Sequence, residues 1–313
     1  MGFETRKDNM TYKFAAALAA LITSGTSSAF AEGTTFGEVG LSYDNFALGG
    51  DALNSGGGFP NEPENFHAGR VSARVGGIQD SGLSWGLQGH YLKSSLGDFV
   101  IPGEETNEGL KDAAQITATL GRYRNDAYFG VLAGIGSVSF TADDFDQDTT
   151  YRVIGAGAGF ERGQWAYGGS LTFVDVISVD NPETLDNALI AKVQAEYALA
   201  NDKSFVGFCA TYTNGDNDVD SGSGADPVRG PGVGVYLRHR LGTWGLNNDV
   251  ILNAGVDHLR LKENGSAGDE AIASTKAFVG VTVTFGKSKE PRAIRMADVA
   301  DTTYAQALTP YVD

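Results

Sequence analysis

Alternation constrains this chain more than any other feature. About twelve short stretches place apolar and polar residues at every other position, so each of them, as a strand, has one greasy and one wet face. Near 36–44, Val39, Leu41 and Tyr43 oppose Glu38, Ser42 and Asp44. Near 66–78, Val71, Ala73 and Val75 oppose Arg70, Ser72 and Arg74, and the turn QDSG leads back into Trp85, Leu87, Gly89 and Tyr91. Later stretches set Ile116, Ala118 and Leu120 against Gln115, Thr117 and Thr119, and then line up Phe129, Val131, Ala133 and Ile135, followed by Ile154, Ala156, Ala158 and Phe160. The clearest split puts Leu189, Ala191, Val193, Ala195 and Tyr197 opposite Lys192, Gln194 and Glu196. Val233, Val235 and Leu237 then oppose Tyr236, Arg238 and Arg240, and a last stretch aligns Val279, Val281, Val283 and Phe285. Only the stretch around 205–212 is ambiguous.

The connections alternate in length. Short links fall near 79–82, 124–126, 162–164, 200–203 and 242–243, and long ones near 45–65, 94–112, 140–149, 175–186, 213–230 and 259–275. Tyr43, Trp85, Tyr91, Tyr123, Trp165, Tyr197, Tyr212, Trp244 and Phe285 lie near strand ends, where the two girdles of a membrane barrel carry aromatics. An exported β-sandwich would instead bury its apolar faces and its aromatics in mid-strand. The pattern therefore predicts an all-β fold, a transmembrane antiparallel up-and-down β-barrel over 32–286 with an even number of strands and both termini periplasmic.

The N-terminus sets the compartment. Arg6, Lys7 and Lys13 precede the apolar run FAAALAALI, and Ala29-Phe30-Ala31 offers a small-residue cleavage site, so 1–31 is expected to be a signal peptide. That run is too short to cross a bilayer as a helix. A formal charge of −16 makes nucleic acid an improbable partner, and the single Cys209 excludes an internal disulfide framework. The 43 glycines suit strands that bend and pack closely. Residues 287–313 are expected to form a flexible periplasmic tail, with a short lumen-plugging helix over AIRMADVADTTYAQAL as the alternative.

On these residues the chain resembles Gram-negative outer-membrane porins, loosely those of alphaproteobacteria. The sharpest element is Gly280-Val281-Thr282-Val283-Thr284-Phe285, similar to the assembly signal of a closing strand, with departures at Phe278 and in the tail that follows. The resemblance implies passive diffusion of small solutes. It also implies outer-membrane lipid and lipopolysaccharide as surroundings and the barrel-assembly machinery as a partner.

Inward-facing Arg70, Arg74, Lys192, Glu196, Arg238 and Arg240 are the candidate lumen or constriction residues, with Glu38, Asp249 and Asp257 adding opposite charge. Opposed charges across a narrow pore order polar solutes, although they can equally pair and stiffen the wall. Asp144, Asp146 and Asp148, and likewise Asp216, Asp218 and Asp220, space carboxylates at alternate residues as a calcium loop does, so calcium is the one possible bound ion in the external loops and no other cofactor is expected. No catalytic site emerges from His67, His90, His239 and His258: Asp257 and His258 point to opposite faces of a strand. The expected function is a porin or narrow channel for small polar solutes or ions, not an enzyme. The alternative is a closed structural or surface-interaction barrel acting through its acidic loops.

Overall fold

The computed structural model describes residues 33–50, 65–95, 109–142, 145–179, 184–199, 203–217, 226–244, 248–264, 269–286, 289–298 and 302–309. The expected signal peptide lies outside them. Twelve antiparallel strands close on themselves in sequence order: β1 (Thr34–Gly50), β2 (Asn65–Ile78), β3 (Leu83–Ser94), β4 (Gly109–Arg124), β5 (Ala127–Ala142), β6 (Phe145–Arg162), β7 (Trp165–Val179), β8 (Leu185–Ala198), β9 (Ser204–Asn217), β10 (Pro227–Trp244), β11 (Asn248–Asn264) and β12 (Asp269–Gly286). Two short helices follow, α1 (Arg292–Met296) and α2 (Thr302–Leu308).

Closure runs along almost the full length of β1, from Phe36 opposite Gly286 to Gly50 opposite Ile272, so no sheet edge is left for pairing with another chain. Phe285 sits opposite Gly37, where a Cβ would come within 2.2 Å of its ring. Only glycine lets the aromatic lie down over β1 at this end of the barrel. The tightest hairpin joins β4 to β5 through Asn125 and Asp126, whose φ values of 52° and 60° are those of a two-residue turn matching strand twist.

The outer surface is an apolar belt. Leu41 is 62% exposed, Phe129 64% and Val193 63%, and the same belt continues through Leu171, Val233 and Val279. Burial in lipid is the physical use for so much exposed apolar area, which recurs on every strand but β2. Near the short links, Phe160 stacks on Tyr167 and Trp165 meets Tyr197 at 4.8 Å, which is half of the expected girdle. Tyr123 departs from that expectation: it faces inward and packs against Phe36, Tyr128 and Ile294.

Two further expectations change. The long links predicted near 140–149 and 259–275 are mostly strand, since β5 and β6 pair out to Ala142 opposite Phe145, and β11 and β12 to Asn264 opposite Asp269. The lengths of the links at that end therefore do not alternate strictly with those at the other. The strands run on because the alternation changes phase: Leu41 and Tyr43 face out, but Phe46 and Leu48 face in, and Ile135 faces out whereas Val138 and Phe140 face in. Beyond the lipid belt the interior itself becomes apolar, and Phe46, Phe66, Leu92, Leu110, Tyr151, Val174, Leu261 and Ile272 form one buried cluster toward the long-link end.

Candidate functional site: the lumen

The lumen holds the chain's own C-terminal segment. Residues 287–313 were expected as a flexible tail outside the barrel; the described part instead packs within the wall, as the helical alternative had it. Its seat is a strip of glycine on β6. An added Cβ at Gly159 would lie 1.9 Å from the Ala293 carbonyl oxygen, and one at Gly157 would lie 2.2 Å from that of Ala297. The three nearest atoms at each position belong to the segment, so Gly157 and Gly159 provide room that the segment fills.

Polar contacts fix the described residues of the segment at both ends and between. The Arg292 guanidinium donates to the carbonyls of Gln164 at 3.0 Å and Gly163 at 3.1 Å, and the Ala293 N–H donates to Glu161 Oε1 at 2.7 Å. Arg295 pairs with Glu38 on β1 at 2.9 Å and with Glu290 at 3.1 Å. Arg74 on β2 pairs with Glu290 at 2.7 Å and with Asp298. Higher up, Thr302 donates to Gln115, Thr303 meets His90 at 3.2 Å, and Gln306 bonds both the N–H and the C=O of Leu185. Ala305 and Leu308 complete the apolar cluster.

The six candidate lumen residues all face inward, and most are matched by opposite charge. Arg70 pairs with Asp44 at 3.0 Å, Arg238 with the fully buried Glu196 at 3.2 Å, and Arg240 with Asp249 at 2.9 Å. Arg74 is taken by the segment, and Lys192 lines two of the cavities. Sequence reasoning missed Glu290 and Asp298, the carboxylates that bind Arg74, although the acidic and basic residues of the tail were visible.

Space remains on the side away from the glycine strip. A cavity of about 330 Å³ lies near the short links between Phe36, Phe205, Arg238, Arg240 and Arg292. It shares Glu38 and Arg74 with one of about 300 Å³ reaching His90 and Lys192, which in turn shares Arg70 and Ser72 with one of about 290 Å³ reaching Asp257 and Lys276. The charged cavities thus succeed one another beside β1 and β2, up to the apolar cluster.

Three of the six carboxylates of the calcium expectation lie in strands. Asp146 and Asp148 are consecutive same-face positions of β6, opposite Thr141 and Ser139, and Asp216 lies in β9 opposite Pro227. An extended strand holds such neighbours about 7 Å apart instead of curling them around one ion. Asp144, Asp218 and Asp220 lie outside the described residues. Among those described, no group of three or more His, Cys, Asp or Glu is placed to hold a metal.

Closed wall, outward apolar belt and filled lumen together decide the class. The chain has the fold of bacterial outer-membrane channel barrels. It superposes on an outer membrane channel from Pseudomonas putida F1 with a TM-score of 0.50 at 13% identity, covering 81% of this chain and 96% of that one. It is also similar to the KdgM porin (TM-score 0.38, 12% identity, 78% and 99% covered). The toluene transporter TodX of P. putida gives a TM-score of 0.40 at 10% identity, with 87% and 95% covered. No protein-family model matches the sequence, and no curated protein matches it.

Proposed function

We propose that this chain is an outer-membrane channel for small polar solutes or ions, held shut in the state described by its own C-terminal segment. The succession of charged cavities beside β1 and β2 carries this reading, because a barrel built only as a support has no need of charged space next to a plug. The apolar cluster above them acts as the barrier: a dry, narrow collar excludes water and ions until it widens. With this reading go cleavage of 1–31 on export, short links facing the periplasm, assembly by the barrel-assembly machinery, and lipopolysaccharide around the long links. The alphaproteobacterial porin type belongs to the same proposal and rests on the closing strand Gly280 to Phe285.

The pairing of Arg74 and Arg295 with the segment favours a second reading, a permanently closed barrel that acts through its loops. Osmotic swelling of liposomes separates the two. The mature chain ending at Gly286 should admit small sugars and amino acids faster than the full chain. If both are equally impermeable while folded, the closed barrel is right.

A further inference from the structure

Contacts of the C-terminal segment climb the barrel in order. The chain leaves β12 at Gly286, at the short-link end, where the adjacent β1 begins. Arg292 then touches the β6–β7 link at Gly163 and Gln164, and Ala293 lies against Gly159, near the same end. Ala297 is level with Gly157, and the Asp298 carbonyl accepts from Ser170, part-way up β7. Thr302 reaches Gln115 on β4, and Tyr304 donates to Ser274 near the far end of β12. Gln306 binds Leu185, the first residue of β8, at the long-link end. In the lower half Glu290 and Asp298 both bind Arg74, and among the described residues the contacts from Thr302 on all lie farther toward the long-link end.

Chemistry follows the same gradient. Charged Glu290, Arg292, Arg295 and Asp298 lie among the wall charges of the lower half, and Ala305 and Leu308 lie in the apolar cluster of the upper half. Reversing the segment would bury its ions in the collar at a cost of several kcal/mol per ion, so the match fixes its direction.

We propose that the polypeptide crosses the membrane once more through its own barrel, so that the C-terminus is presented on the long-link side, opposite the end where β12 finishes. It differs from the expectation of two periplasmic termini, and it stands apart from whether the channel conducts, because the test compares positions within one protein.

The test uses the chain's single native cysteine to advantage. In a Cys209→Ser background, one cysteine is placed after Asp313 through a short Gly-Ser linker, one at Ser55→Cys in the long β1–β2 link, and one at Asp80→Cys in the short β2–β3 link. Intact cells are treated with a membrane-impermeant maleimide, before and after permeabilisation of the outer membrane. The C-terminal cysteine should react under the condition in which Ser55→Cys reacts. Reaction only together with Asp80→Cys, or protection while Ser55→Cys reacts, overturns the proposal. Should the tagged chain fail to fold, carboxypeptidase added on the Ser55 side decides with the untagged protein: mass spectrometry should show trimming from Asp313, and an untrimmed chain overturns the proposal.

Discussion

Substitution of Gly157 and Gly159 by valine tests the plug where the wall has least to lose. Both residues face inward on β6, and the nearest atoms to an added Cβ belong to Ala293, Met296 and Ala297 of the segment. Ordinary contact begins at 3.4 Å, whereas the Gly159 Cβ would stand 1.9 Å from the Ala293 oxygen, so that carbonyl must retreat by about 1.5 Å. Such a shift breaks the 2.7 Å bond from the Ala293 N–H to Glu161 and pulls Arg292 from its two carbonyls. Overpacking of this kind costs about 1–3 kcal/mol per site. Taken at about 3 kcal/mol for the pair, the ratio of seated to released segment falls roughly 100-fold. Valine suits a strand at least as well as glycine does, so the wall itself should hold. Single-channel recording of Gly157→Val/Gly159→Val should show a higher open probability than wild type, and Ala158→Val, which points to the lipid side, should not. Unchanged gating in a folded double variant, with the segment still protected from protease, would refute the reasoning.

Three further outcomes follow from the same contacts. In the barrel ending at Gly286, replacing Arg70, Arg74, Arg238 and Arg240 by glutamine leaves Asp44, Glu196 and Asp249 uncompensated; reversal potentials should shift toward cation selectivity, less so at 1 M salt where screening acts within about 3 Å. Glu290→Gln removes the carboxylate that Arg74 and Arg295 share and should raise the open probability of the full chain in single-channel recording. Phe285→Ala should impair membrane insertion more than stopping the chain after Gly286 does, as judged by heat-modifiable migration, because the ring covers Gly37 at the barrel seam.

Outward faces were legible because lipid leaves one rule in force: Leu41, Phe129, Val193 and Val281 recur at alternate positions, and their exposure follows. The same rule located Arg74, Glu196 and Arg238 on the inner face. It failed where a second apolar environment took over. At Phe46, Val138 and Leu259 the apolar residues change phase and point inward, so strands that continue looked like loops. The phase change was itself in the sequence, and its only explanation is something apolar inside the barrel. The plug was harder to see. Its helices have five and seven residues, too short for a hydrophobic period, and its seat is signalled only by Gly157 and Gly159 on either side of Ala158. Pairing of Arg74 with Glu290 and Asp298 joins residues more than two hundred positions apart, which no local pattern encodes.

Adding the segment back as a separate peptide tests the central claim most directly. The barrel ending at Gly286 is reconstituted in a planar bilayer, and a synthetic peptide of residues 287–313 is supplied at millimolar concentration, near the effective concentration that a short tether provides. The truncated barrel should conduct, and the peptide should block it from the short-link side, where Arg292 finds Gly163 and Gln164. A peptide of the same composition in scrambled order should leave the current untouched. A truncated barrel that is folded but silent, or a current indifferent to the peptide from either side, would contradict the account.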